Sequence, residues 1–457
     1  MKNNTKTIDM TKGSISRNLI LFSIPLLISS IIQQMYNTVD LLFVGNTLGT
    51  NSAAAVGAGS MLITCLIGLF SGLAVGTNVV LAKIFGYGDK EKFSRGLHTA
   101  ILIALIGGIF LTLIGLIGAP YFLNFINTPN NIMNEAVSYI RIYFISITSM
   151  LIYNMCSGII RAGGNSKLPM IAQFIGGIVN IASNIIFINI LNYGIKGSAF
   201  ATLFSQTTSA LYVLFYLAKE DDAFSFKLYR LKIDKDIFKE ITKIGIPAGI
   251  QSFVISISNV IVQSYINSLD VNSIAAFTIY MKIELILYYP IVAIGQAIMT
   301  FTGQNIGAGN IKRMKKGANI SIIWGIGLVI LVSVFMIVTG EFWFRLFNKD
   351  LNVIEVGLNI ICVTFPFYFV YVIMEVLSSV IRGSGKSIPP MIIILSNVCI
   401  LRVLILYFSG SYISNVERIA VMYPITWITA SISITIYYII YLKYILNRSE
   451  ERRVGKE

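Results

Sequence analysis

The segment Arg161–Met170 reads RAGGNSKLPM, and Arg382–Met391, 221 residues later, reads RGSGKSIPPM. The match is not isolated. Ile24-Pro25 recurs as Ile246-Pro247, Ser52-Ala53-Ala54-Ala55 as Ser273-Ile274-Ala275-Ala276, and Gly86-Tyr87-Gly88-Asp89 as Gly307-Ala308-Gly309-Asn310. Each glycine turn precedes a basic cluster, ending Arg95-Gly96 in one half and Lys316-Gly317 in the other. Every offset is 221 or 222 residues, so the chain contains itself twice.

What is duplicated follows from composition. Of 457 residues, 55% are hydrophobic and 12% charged, with a mean hydropathy of +0.77. A soluble domain carries about 25% charged residues, so a globule of this size could not cover its surface. A soluble enzyme, a disordered chain and a disulfide scaffold are excluded. Apolar runs long enough to span a bilayer recur twelve times. They lie near 18–42, 53–81, 97–119, 133–160, 168–190, 197–218, 244–267, 274–301, 318–340, 353–381, 388–408 and 419–442. The expected fold is an all-α polytopic membrane protein with twelve transmembrane helices in two pseudo-symmetric six-helix bundles. The lobes are 1–218 and 244–446, joined by a cytoplasmic linker at 219–243 and followed by a polar tail at 447–457. Six spans separate the copies, so both enter the membrane from the same side, as in parallel-repeat transporters. Two such lobes enclosing a cleft are what alternating access requires.

Charge sets the orientation. Twenty-eight of the 35 Lys and Arg lie on the termini and even-to-odd connections, four on the opposite connections, and Arg141, Lys282 and Arg402 within spans. Both termini are therefore expected in the cytoplasm. The net charge of +14 reflects this bias, and no nucleic-acid partner is expected. The first span carries Asp40 and lacks a small-x-small site, so it does not read as a cleaved signal peptide.

Cys65, Cys156, Cys362 and Cys399 lie far apart in apolar segments, and His98 is the single histidine, which leaves no Cys/His zinc pattern. No G-x-x-x-x-G-K-[ST], H-E-x-x-H or G-x-S-x-G occurs. No catalytic set and no cofactor beyond a coupling ion is expected.

Polar groups inside spans are functional by default. Gln33, Tyr36, Asn37 and Asp40 are spaced i, i+3, i+4 and i+7, one helical face. Asn180 and Asn184 share a face of span 5 that Gln173 extends, and their carbonyls suit a hard cation such as sodium. Thr202 in span 6 adds a hydroxyl. Interhelical hydrogen bonding is the structural alternative for each amide. Gln34, Asn154 and Gln251 are further candidates for the substrate cavity. Lys282 and Glu284, two apart in span 8, do not face each other. Each lines an aqueous cavity or finds another partner, Arg402 being the candidate for Glu284. Glu375 is a third intramembrane acid. Pro25 and Pro247 occupy equal places in the repeat, where proline removes an intrahelical bond and makes a kink or hinge.

The stretch from Gln34 to Gly45, QMYNTVDLLFVG, resembles the span 1 signature of multidrug and toxic compound extrusion (MATE) transporters. So do Ala53–Gly57, Lys282-Ile283-Glu284, Gly303–Gly309 and both Arg-x-x-Gly-x-Ser segments. The likeness covers residues 12–445 and is to the bacterial branch with an acidic residue in span 1. It implies a secondary active multidrug exporter, exchanging amphipathic, often cationic organic compounds for sodium or protons, and working as a monomer. It further implies that Asp40 binds the coupling cation, helped by Asn180, Asn184 and Thr202. Relatives often carry aspartate where this chain has Asn184, leaving Asp40 the sole carboxylate of the set. The rival expectations are a lipid-linked oligosaccharide flippase, which would need converging deep cations for pyrophosphate, and a membrane-embedded enzyme.

Overall fold

The computed structural model describes residues 7–220, 224–409 and 415–454. Among them are twelve helices long and apolar enough to cross a membrane. They are α1 (Ile15–Gly45), α2 (Leu66–Tyr87), α3 (Lys90–Phe125), α4 (Asn130–Ala162), α5 (Lys167–Ile190), α6 (Ile195–Lys219), α7 (Lys235–Ile266), α8 (Val271–Gly307), α9 (Ile311–Val338), α10 (Leu351–Gly383), α11 (Ile388–Phe408) and α12 (Val416–Tyr444). Helices are the economical answer to a solvent without hydrogen bonds, since each satisfies its own backbone. Many helices begin or end beyond their apolar runs. α3 starts at Lys90, where the Asp89 side chain accepts the Lys92 N–H at 2.8 Å, a capping contact on the first turn. Helix continues past α12 to Val454, through most of the segment expected as a polar tail.

α1 and α2 are joined by continuing helical turns, interrupted at Gly49 with φ +83°, a left-handed conformation that glycine adopts without a Cβ clash. Four other helices change geometry within their length. α5 opens into a π-turn at Ile185–Ile190 and α11 at Leu395–Leu401. α10 passes through a 3-10 turn at Phe365–Phe367. α8 is interrupted at Glu284, between Val271–Ile283 and Leu285–Gly307. By contrast α1 runs helically through Pro25 and α7 through Pro247.

The chain forms two compact units. The first holds Ile24–Gly249 with residues 7–10, and the second holds Ile250 onward with Thr11–Ser23. The bounds of these units fall in α1 and α7, beside Pro25 and Pro247, and the 219–243 linker belongs to the first unit. Polarity placed the linker outside both lobes, but its own aromatics fasten it to the first. Phe224 packs on Phe93, ring centroids 4.6 Å apart, and on Phe85 at 6.1 Å.

Within the first unit α4 packs against α3 and α6, and α5 against α6. The leading half of α7 also belongs here, through a contact made by glycines. A Cβ on Gly72 would lie 2.2 Å from the Gly249 nitrogen, and one on Gly249 2.0 Å from the Leu69 carbonyl oxygen. Gly76 and Gly245 are equally closed, at 2.4 Å and 2.8 Å from the facing backbone. Gly72-x-x-x-Gly76 on α2 thus meets Gly245-x-x-x-Gly249 on α7, the small-residue pattern that lets membrane helices touch backbone to backbone. In the second unit α10 packs against α8, α9 and α12.

Candidate functional site

The site is set by three helices of the first unit. α5 and α6 approach closely because a Cβ on Gly176 would lie 2.1 Å from Ser209 Oγ. Two α6 hydroxyls bind α5 backbone there: Ser205 Oγ donates to the Gly176 carbonyl at 2.7 Å and Ser209 Oγ to that of Ala172 at 3.0 Å. Gly177 stands against Ile32 and Tyr36 of α1, which a Cβ would meet at 3.5 and 3.7 Å.

Along that seam α1 receives polar groups from both neighbours at two levels. The buried Tyr36 hydroxyl accepts from Gln173 Nε2 of α5 at 3.0 Å and Gln206 Nε2 of α6 at 3.2 Å. One turn further along α1, Asp40 accepts from Asn184 Nδ2 of α5 at 2.9 Å. Ser198 Oγ of α6 lies 3.1 Å from each Asp40 carboxylate oxygen. Asn184 Nδ2 also approaches the Asn180 carbonyl oxygen at 3.1 Å and Asn180 Oδ1 at 3.2 Å. Asn180 and Asn184 are at most 1% exposed. Asn184 is the last α-helical residue before the π-turn, a local widening that commonly accompanies functional sites.

Two features distinguish this cluster from a fully satisfied set of interhelical hydrogen bonds. Among the described residues no lysine or arginine forms an ion pair with Asp40. Asn184 Oδ1 is buried without a hydrogen-bond partner, and an unfilled buried acceptor is uncommon enough to require a cause. A carboxylate without a basic partner beside a bare carbonyl oxygen is an arrangement that a small cation or a proton would complete.

The remaining expected residues are distributed as follows. Thr202 is buried on α6 one turn from Ser198, and Ser198 is the hydroxyl that reaches Asp40. Ser198 and Gln206 were both missed by sequence reading. Gln34 and Asn154 are half-buried, while the side chain of Asn37 lies outside the described residues. In the second unit Gln251 is buried, its Oε1 3.5 Å from Arg382 Nη2. Lys282 is exposed.

Glu284 sits at the interruption of α8 and accepts the hydroxyl of Tyr368, which starts the helical stretch after the 3-10 turn of α10. The ion pair expected between Glu284 and Arg402 does not form. Arg402, 3% exposed, donates from Nη2 to Thr426 Oγ1 at 3.2 Å and lays its guanidinium over the Tyr423 ring at 4.2 Å. A tyrosine hydroxyl and an aromatic face substitute for the two charges that sequence alone would pair. Glu375 accepts from Ser379 Oγ at 3.1 Å. Of the other deep cations, Arg141 is exposed and donates from Nε to the Leu116 carbonyl at 3.0 Å. Arg402 and Arg141 are thus each held by separate partners, so among the described residues these cations within the spans do not gather into a pyrophosphate site.

Known proteins give the same architecture. The chain is similar to two proteins of Bacillus subtilis (strain 168). "Probable multidrug resistance protein YoeA" is 28% identical over 394 residues, 84% of each chain. "Probable multidrug resistance protein YpnP" is 27% identical over 401 residues, 87% of this chain and 89% of that one. Among solved structures, "Outward-facing conformation of a multidrug resistance MATE family transporter of the MOP superfamily" superposes with a TM-score of 0.90 at 22% identity, covering 98% of this chain and 100% of that one. The MatE family model matches twice, at residues 25–186 and 247–408, an offset of 222 residues that agrees with the internal duplication. With both halves matched, this chain belongs to the MatE family.

Proposed function

We propose that the protein is a secondary active exporter of amphipathic, cationic organic compounds, exchanging them for sodium or protons across the bacterial cytoplasmic membrane. Both termini face the cytoplasm in this reading, supported by the uneven placement of Lys and Arg. The observation that carries the proposal is Asp40: a carboxylate within α1, held by Asn184 and Ser198, with the bare Asn184 Oδ1 beside it. Either ion would use that carbonyl. Sodium would take it as an oxygen ligand with the carboxylate. A protonated Asp40 could donate to it.

Exchange follows from the charge. Entry of a cation from outside neutralises Asp40 and changes the forces on α1, which contains Pro25 and bonds to α5 and α6 through Asp40 and Tyr36. Loss of the cation to the cytoplasm restores the charge, and with it the conformation that loads a cationic compound. The flippase reading would need cations gathered deep within the spans, and Arg141 and Arg402 are each engaged by other partners.

The test is ethidium efflux from proteoliposomes, first under an imposed sodium gradient and then under a proton gradient. Efflux driven by one gradient and abolished in Asp40→Asn would establish the antiporter and its ion. Full gradient-driven efflux in Asp40→Asn would refute the assignment of Asp40.

A further inference from the structure

The linker and the start of α3 line an open cavity of about 680 Å3, within the size range of small-molecule sites. Its lining carries five cations, including Lys227, Arg230 and Lys232, against the single carboxylate of Glu91. An excess of Lys and Arg on one side of a membrane is expected of any such chain. A cavity built from them is not, and here the linker is fastened into one.

His98 does much of the fastening. It is 2% exposed, its Nδ1 lies 2.7 Å from the Ser94 carbonyl, its Nε2 takes the Lys227 backbone N–H at 3.1 Å, and its ring faces Phe226 at 5.9 Å. The next residue completes the attachment. Thr99 Oγ1 lies 3.3 Å from the Lys232 carbonyl oxygen and accepts the Asp234 N–H at 3.0 Å. Lys227 and Lys232 are thus pinned through their backbones, and the short 3-10 turn Leu228–Arg230 projects between them.

Asp234, two residues beyond Lys232, is already engaged: it pairs with Arg95 at 3.1 Å and caps α7 by accepting the Asp236 and Ile237 N–H groups. Lys227, Arg230 and Lys232 form no ion pair among the described residues. Beside them Leu228 and Tyr229 are 74% and 78% exposed. An aromatic and a leucine offered outward among cations is a membrane-interface pattern, with apolar groups entering the headgroup layer while Lys and Arg meet phosphate.

We propose that this cavity binds the phosphate of an anionic phospholipid headgroup, drawn from the leaflet that the basic connections face. The shared chemistry is a phosphate held by Lys227, Arg230 and Lys232, and the exposed Leu228 and Tyr229 favour the lipid over a dissolved phosphate as its source.

The experiment uses the full chain in nanodiscs of phosphatidylcholine mixed with phosphatidylglycerol, with retained lipid read by native mass spectrometry. The variant Lys227→Gln/Arg230→Gln/Lys232→Gln should retain at least about tenfold less phosphatidylglycerol, given how strongly each basic residue near an anionic surface contributes. Lys312→Gln/Lys315→Gln/Lys316→Gln, which removes the same charge from the start of α9, should retain it as wild type does. Matching elution and thermal unfolding of the two variants guards against misfolding. Equal retention in all three proteins, or equal loss in both variants, would overturn the proposal, since bulk charge would then suffice. A separate arm titrates sodium pyrophosphate into protein in phosphatidylcholine discs. Saturable micromolar binding there, lost in the linker variant, would assign the cavity to a soluble phosphate and overturn the lipid assignment. Both leaflets are present in a disc, so the outcome does not depend on the orientation or transport activity proposed above.

Discussion

Asn184→Asp would put a second carboxylate where a carboxamide now donates to the first. Asn184 Nδ2 is 2.9 Å from Asp40 Oδ1, so the two charges would stand about 4 Å apart. At an effective dielectric constant near 20, like charges at that distance repel by about 4 kcal/mol. The lost hydrogen bond to a charged acceptor adds about 1.5–3 kcal/mol to the strain of the empty state. A bound sodium ion or proton relieves both. The ion-loaded form should therefore be favoured by several kcal/mol, and each 1.4 kcal/mol is about tenfold in affinity. Side-chain rotation and water entry will reduce this, but at least a tenfold fall in the half-saturating ion concentration is expected. The assay is ethidium efflux from proteoliposomes as a function of external sodium at fixed pH, then of external pH at fixed sodium. Turnover should fall as the half-saturating concentration falls, because an ion held more tightly is released more slowly to the inside. An unchanged half-saturating concentration for both ions, in a variant that still transports, would refute the placement of the coupling ion between Asp40 and Asn184.

Three further outcomes follow from the geometry. Ser198→Ala removes the hydroxyl shared by both Asp40 oxygens and should shift ion half-saturation by about tenfold, whereas Thr202→Ala should change it much less; equal effects in the two dose–response curves would contradict the assigned partner. Gly249→Ala places a Cβ 2.0 Å from the Leu69 carbonyl oxygen, so α2 and α7 must separate. Thermal unfolding in detergent should show a loss of about 1–3 kcal/mol, against almost none for alanine at Gly327, whose Cβ meets nothing within 4 Å. Asp270 caps α8 by accepting the Ser273 hydroxyl at 2.6 Å and its N–H at 3.1 Å, and these bonds, the hydroxyl first, hold its carboxyl below the usual range. That stabilisation is present above the ordinary aspartate value near 3.9 and is lost as pH falls through the lowered one. Asp270→Ala should thus cost about 1 kcal/mol at neutral pH, and the difference in unfolding should vanish in strong acid.

Twelve spans were legible because a bilayer imposes length and apolarity on each helix separately, and neither depends on partners. Tyr36 with Asp40, and Asn180 with Asn184, were legible as faces for the same reason: helical spacing is local. Register between helices is not local. Thr202 and Ser198 are one turn apart on one face of α6, and only the packing of α5 on α6 through Gly176 selects Ser198. The Glu284–Arg402 pairing does not form because aromatic side chains take the place of each opposite charge. Tyr368 and Tyr423 became the partners through the interruption of α8 and the turn in α10, neither of which declares itself as a charge pattern. His98 looked incidental as a lone histidine, and its role in holding the linker depends on residues more than a hundred positions away.

The exchange of leading segments between the two compact units bears on the order in which the protein can be made. The first unit includes chain through Gly249, and so reaches beyond the six spans of its own repeat copy into the start of α7. It cannot be complete until that half-helix has left the ribosome. The second unit needs Thr11–Ser23, among the earliest residues to emerge, which must wait for most of translation before their packing partners exist. A chain cut at the 219–243 linker would give two fragments, each missing a piece of one unit and carrying a piece of the other. Neither fragment should mature alone, and co-expression should restore both together.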